Sequence, residues 1–214
     1  MDNFKIGGAC LPRPLIRALG IVKYCVALTN IAQNDIDKNI GSAVAVAARE
    51  VINGKLDDNF PLVVWQTGSG THSNMNANEV ISNLAIKCLG GTLGSKIPAH
   101  RNDHCNRSQS SNDVFPTAMH ITTVEQLHSL LIPSLKRLHK SLVDKSQAWN
   151  ALIKTGRTRL QDATPLILGQ EFSGYAMQTK LGIDQIKARL KRLYYLAQGG
   201  TVVGTGLNSK PGFS

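Results

Sequence analysis

The chain has 214 residues, with 24 Lys plus Arg against 14 Asp plus Glu and a formal net charge of +10. Its apolar fraction of 42% allows a sizeable core and excludes a disordered, charge-dominated chain. The positive excess points to an anionic partner, but the basic residues interleave with Leu in KRLHKSLVDK and KARLKRLYYL. That is the pattern of solvated helix faces, not of a nucleic-acid-binding arm.

Behind Pro12 and Pro14, Leu15, Leu19, Val22 and Val26 recur at helical spacing, as do Val44, Ala47, Ala48 and Val51 before the stop at Gly54. PLVVW at 61–65 is the best strand candidate, and it is short. Asn76 precedes Glu79 by three, a cap-like start for a helix through EVISNLAIKCL that ends at Gly90 and Gly91. After the polar stretch 95–113, Val124, Leu127, Leu131, Leu135, Leu138 and Leu142 predict a long helix, with a kink or break at Pro133. A last helix is expected from about Pro165, carrying Ile183, Ile186, Leu190 and Leu193 on one stripe and stopping at Gly199. The fold class is therefore mainly α. Residues 1–111 form a helical domain with polar loops, and residues 112–214 hold two long antiparallel helices joined by a loop at GRTRLQD. Each long helix has an apolar stripe that a two-helix hairpin cannot cover alone.

The four cysteines, Cys10, Cys25, Cys88 and Cys105, lie at no metal-ligand spacing and read as free thiols in a reducing compartment. His100 and His104 bracket no Glu in a zinc-helix pattern, so no metal is expected. No apolar run reaches membrane-spanning length, and MDNFKIGG reads as neither a signal nor a transit peptide.

Three polar stretches flank helix starts: TGSGTHSNMNANE (67–79), SQSSND (108–113) and GRTRLQDATP (156–165). Ser, Thr, Asn and Asp cap helices and build turns. The same groups, with the free N–H groups of a helix start, also cradle a carboxylate or phosphate. No glycine-rich phosphate motif follows a clear strand, so these donors suit a small dicarboxylate better than a nucleotide.

Read together, WQTGSGTHSNMNANEVISN, SQSSNDVFPTAMH, GRTRLQDATPLILGQEFSGY and GGTVVGTGLN closely resemble the class II fumarases (fumarate hydratases) of the fumarase/aspartase superfamily, over the whole chain. The resemblance implies an N-terminal helical domain followed by the first long helices of a central bundle. It further implies a homotetramer whose active sites each draw on three subunits, and the reversible hydration of fumarate to L-malate without a cofactor. Many donors must then stabilise a doubly charged aci-carboxylate. By matching motif, Ser69, Thr71, Ser110, Ser111, Asn112 and Thr158 would bind substrate. His100, Asn102 and Asp103 would form a second anion site, with Arg101 where the family has proline. Arg159 stands at the position of a proton-handling histidine. Imidazole accepts a proton near neutral pH, whereas guanidinium keeps its own. The family's later GSSxMPxKxN loop has no counterpart, so the chain reads as an N-terminal portion of a lyase. Two alternatives follow: a noncatalytic paralogue that at most co-assembles with a full-length fumarase, or an aspartate ammonia-lyase. The family's compartments, mitochondrion and cytoplasm, are the expected locations.

Overall fold

The computed structural model describes residues 6–65 and 70–213. It forms two compact units, one of residues 1–122 with 196–214 and the other of residues 123–195. The sequence reading divides the chain after residue 111; the units divide it within a helix, and the glycine-rich tail returns to the first unit. The architecture is mainly α, as expected.

The first unit is built on three helices, α1 (Arg13–Ala32), α2 (Lys38–Ile52) and α3 (Thr71–Cys88). Pro12 and the proline early in α1 preset the entry to that helix. Asp37 caps α2 by accepting from the N–H groups of Asn39 and Ile40 at 2.8 and 3.1 Å. Leu19, Val22, Val26, Val44, Ala48, Val51, Ile81 and Ile86 fill the core between them. α1 and α2 approach closely at Gly20, where a Cβ would lie 3.2 Å from the Ala48 carbonyl oxygen.

Three expectations change here. α1 is long and apolar enough, by length and composition, to cross a membrane, although the sequence shows no uninterrupted run of that length. Its apolar face is instead spent on the core, with Ala18 and Leu19 fully buried. PLVVW forms no strand, only an isolated bridge from Val63 to Cys10. α3 begins at Thr71, so Asn76 lies inside the helix and donates to the Asn59 carbonyl at 3.0 Å. The N-cap is Gly70 at φ +71°, where a Cβ would lie 2.2 Å from the Phe115 ring. Packing against Phe115 therefore decides where this helix starts, and glycine alone fits both the space and the left-handed backbone.

α4 (Ser111–Gln126) holds Pro116 in its interior. A π-helical segment (Leu127–Leu131) and α5 (Ile132–Ala148) follow. Pro133 supplies no N–H to the helical ladder, and the expected irregularity is this widened turn.

In the second unit, α5 is followed not by a loop but by an antiparallel hairpin, β1 (Ile153–Thr158) and β2 (Gln161–Ile167). α6 (Leu168–Leu193) therefore starts at Leu168, and Pro165 lies in β2 opposite Thr155. A two-stranded sheet has only edges, which is where proline is tolerated. α5 and α6 run antiparallel. The Ser146 hydroxyl donates to the Gly169 carbonyl at 2.7 Å near one end, and His128 meets the Tyr194 hydroxyl at 3.3 Å near the other. Ile132, Ala176, Ile183 and Leu190 are buried, whereas Leu138, Met177 and Leu181 are exposed. Within this unit the outer apolar faces thus remain uncovered, as the sequence implies.

Candidate functional site

Ser110, Ser111 and Asn112 form the N-terminus of α4, shaped by reciprocal capping. The Asn112 N–H donates to Ser110 Oγ at 3.2 Å, and the Ser110 N–H donates to Asp113 Oδ1 at 2.8 Å. Asp113 is 2% exposed, and its other oxygen accepts from the backbone of Gly199 at 3.2 Å and Thr201 at 2.9 Å. Asn112 Nδ2 donates to the Val202 carbonyl at 2.8 Å. The tail segment GGTV is thereby fastened beside the serine turn.

α3 arrives at the same place. Asn74, fully buried, donates from Nδ2 to Ser111 Oγ at 2.9 Å and to Asn106 Oδ1 at 3.2 Å. The first turns of α3 and α4 are thus tied together, and Thr71, the first residue of α3, lies in the turn that holds Asn74. Two helix N-termini, each a positive dipole end, favour an anion here. Ser69 lies outside the described residues.

His100 immediately precedes a π-helical turn (Arg101–Cys105) that holds Asn102 and Asp103. His100 Nδ1 is 2.8 Å from Asp103 Oδ2 and 3.3 Å from the Asp103 N–H. It cannot donate to one and accept from the other at once. The shorter contact, to a carboxylate, puts the proton on Nδ1. Asn102 and Asp103 line a cavity of about 390 Å³ with Asn106, Ser108, Thr201 and Val202, so the second anion motif opens beside the tail. Arg101 pairs with Glu79 of α3. His104 accepts the His100 N–H on Nδ1 at 2.7 Å, and burial lowers its pKa, so its ring is neutral. Arg107 forks onto Asp35 at 2.8 and 2.9 Å, with Ser108 Oγ donating at 3.1 Å. The Arg107 hydrogen bond, helped by Lys210 and Ser108, holds the Asp35 carboxyl at a pKa of about 2 against the opposing effect of burial. Among the described residues, no group of three or more His, Cys, Asp or Glu is placed to hold a metal ion.

Thr158 and Arg159 belong to the second unit. Thr158 ends β1 opposite Gln161, so Arg159 and Leu160 make a two-residue turn at φ +50° and +61°. Both are exposed, Leu160 to 95%. This is the primed turn that hairpin twist favours, built without the usual Asn or Gly. Gly156 sits at the register shift between Thr155 and Arg157, where a Cβ would lie 2.5 Å from the Thr164 carbonyl oxygen. Arg157 faces Asp162 at 3.6 Å, both largely exposed.

Lys23 and Asn106 were not singled out from the sequence, whereas Asn74, Gln109 and Asp113 lie within the polar stretches 67–79 and 108–113 named above. Lys23 lies at 1% exposure beneath the serine turn, its amine 2.8 Å from Asn106 Oδ1 and 2.9 Å from Gln109 Oε1. Burial lowers its pKa to about 7 against the opposing pull of Cys105 and Asp113. A signal was available: Lys23 falls on the apolar stripe of α1, between Leu19 and Val26.

Known proteins are similar to this chain in sequence and in fold. Residues 3–214 match the model of a family described as "Lyase". Over 214 residues the chain is 60% identical to a class II fumarate hydratase of Caulobacter vibrioides, covering all of this chain and 46% of the relative. It is 58% identical over 215 residues to a mitochondrial fumarate hydratase of Schizosaccharomyces pombe, covering all of this chain and 41% of that protein. A class II fumarase from Schistosoma mansoni superposes with a TM-score of 0.93 at 42% identity, over 99% of this chain and 45% of that one. The chain thus spans less than half the length of these relatives. By sequence and fold, it belongs to the lyase family and stands beside the class II fumarases.

Proposed function

We propose that this chain supplies the dicarboxylate-binding wall of a fumarate hydratase, the enzyme that interconverts fumarate and L-malate. The observation that carries this is the Asn74–Ser111 hydrogen bond, which brings the N-termini of α3 and α4 together. Ser110, Ser111, Asn112 and Thr71, with Ser69 by motif, would surround one ligand with neutral donors, and Thr158 is a substrate-binding candidate by motif alone. Such donors stabilise the extra charge of an aci-carboxylate without reorganising. His100, Asn102 and Asp103 would hold an anion at a second place. None of the serine, threonine or asparagine groups is a base, and the Arg159 guanidinium accepts no proton. A noncatalytic role is therefore the second reading, and Arg159 favours it.

We also propose that the exposed apolar face of α5 and α6 takes further subunits, in a homotetramer or by co-assembly with a full-length fumarase. A mitochondrial or cytoplasmic setting fits the relatives.

Two measurements test this. Calorimetric titration of the chain with fumarate is expected to show binding that Ser110→Ala weakens about tenfold, the effect of one lost charge-assisted hydrogen bond; no binding at millimolar ligand refutes the assignment. Substituting this chain's residues 153–167 for the matching hairpin of the Caulobacter vibrioides enzyme is expected to slow fumarate loss by about 100- to 10,000-fold, the usual worth of acid–base catalysis. Arg159→His in that chimera should restore it. An unchanged rate in the unreverted chimera would acquit Arg159.

A further inference from the structure

The buried lysine beneath the serine turn joins two side-chain amides that cannot be turned over. Asn106 Nδ2 donates to the Gln109 carbonyl at 3.2 Å, and Gln109 Nε2 donates to the carbonyls of Cys105 and Arg107 at 3.0 and 3.1 Å. Backbone carbonyls only accept, so Asn106 Oδ1 and Gln109 Oε1 must both face the Lys23 amine. The same Asn106 Oδ1 receives the Nδ2 groups of Asn74 and Asn78, each at 3.2 Å. An acceptor at that point fixes the amide of Asn74 with its NH2 inward, and its second proton reaches Ser111 Oγ at 2.9 Å. A hydroxyl carries one proton. With Asn74 donating to its oxygen, Ser111 has its own proton free to point elsewhere.

We propose, resting on the dicarboxylate reading above, that Lys23 is a positioning residue that acts through Asn106 and Asn74 to fix Ser111 as a hydrogen-bond donor to the ligand carboxylate. Ser111 is half-buried at the first position of α4, so its proton would be presented at that positive helix start. Two amine protons satisfy the two acceptors, so the arrangement survives if burial removes the third. Cys105 and Asp113 are the titratable groups that bear on this amine, and neither hydrogen-bonds to it.

The test uses the whole chain with two separate readouts. The first needs no ligand: side-chain amide NMR of Asn74 in wild type, Lys23→Met and Lys23→Gln. The Asn74 NH2 protons are expected to exchange at least about tenfold faster in Lys23→Met, with Lys23→Gln intermediate. Unchanged Asn74 exchange in both folded variants overturns the proposal. The second readout is a double-mutant cycle on fumarate binding. Ser111→Ala should weaken binding by about 10- to 100-fold. If Lys23 works through Ser111, adding Lys23→Met to Ser111→Ala should cost almost nothing more. Fully additive losses would mean that Lys23 only supports the fold, and would also overturn the proposal. If wild type binds no fumarate while Asn74 still responds to Lys23→Met, the dicarboxylate reading fails and the orienting chain stands.

Discussion

Replacing Lys23 by Met should remove a pH dependence of stability that belongs to this one amine. The Lys23 pKa falls from an ordinary 10.5 to about 7 in the folded protein, chiefly through desolvation. Between those two values the unfolded chain carries a proton that the folded chain does not. Stability from this group therefore rises with pH across that window, by about 1.4 kcal/mol per unit, and is flat below pH 7, where both states are protonated. Integrated over the window, the effect is about 5 kcal/mol. Lys23→Met keeps the stem volume and deletes the titration. Urea unfolding at several pH values between about 7 and 10 should show wild type gaining on the variant as pH rises. If the two stabilities run parallel in pH, the amine is not desolvated as described, and the account of Asn106 and Gln109 as its buried hydrogen-bonding partners fails with it.

Acid should expose the opposite case at Asp35. Its carboxyl titrates near pH 2 instead of 3.8 because Arg107 holds it. The stability this gives is present above about pH 4 and lost as pH falls toward 2; discounted for the half-exposed Arg107, it is about 1–2 kcal/mol. Asp35→Asn should flatten the acid limb of a pH titration of unfolding by that amount. Gly70→Ala should cost on the order of 2–4 kcal/mol, from the left-handed backbone and the Phe115 ring together, measured by chemical denaturation. Replacing Arg159 and Leu160 by Asn-Gly should stabilise the second unit by about 1 kcal/mol, read from its own unfolding transition, because both residues now sit at positive φ.

The sequence reading succeeded where the signal is local. The stripe on α1, the stop at Gly54 and the disturbance at Pro133 all follow from spacing and from what proline lacks. It failed where neighbours decide. α3 starts at Thr71 because Gly70 meets Phe115, which no window around Asn76 contains. The hairpin at 153–167 escaped notice because its turn is Arg-Leu, not Asn-Gly, and because Pro165 reads as a helix start. At the site, the hydroxyls and amides of SQSSND were legible as an anion cradle. Lys23 was not, since a lysine on an apolar stripe is ordinarily taken for a stem that reaches water. Its acceptors, Asn106 and Gln109, lie more than eighty positions away in the chain.

Asp113 gathers three backbone N–H groups from two stretches of chain through one carboxylate: Ser110 on one oxygen, Gly199 and Thr201 on the other. The serine turn is therefore not a portable module. Grafted alone onto the end of another helix, residues 108–114 would bring a buried acid with only one of its three donors, and that acid would have to draw in water or take up a proton. Anyone transplanting this anion cradle into a new scaffold must carry the glycine-rich tail with it, though almost ninety residues separate the two in sequence.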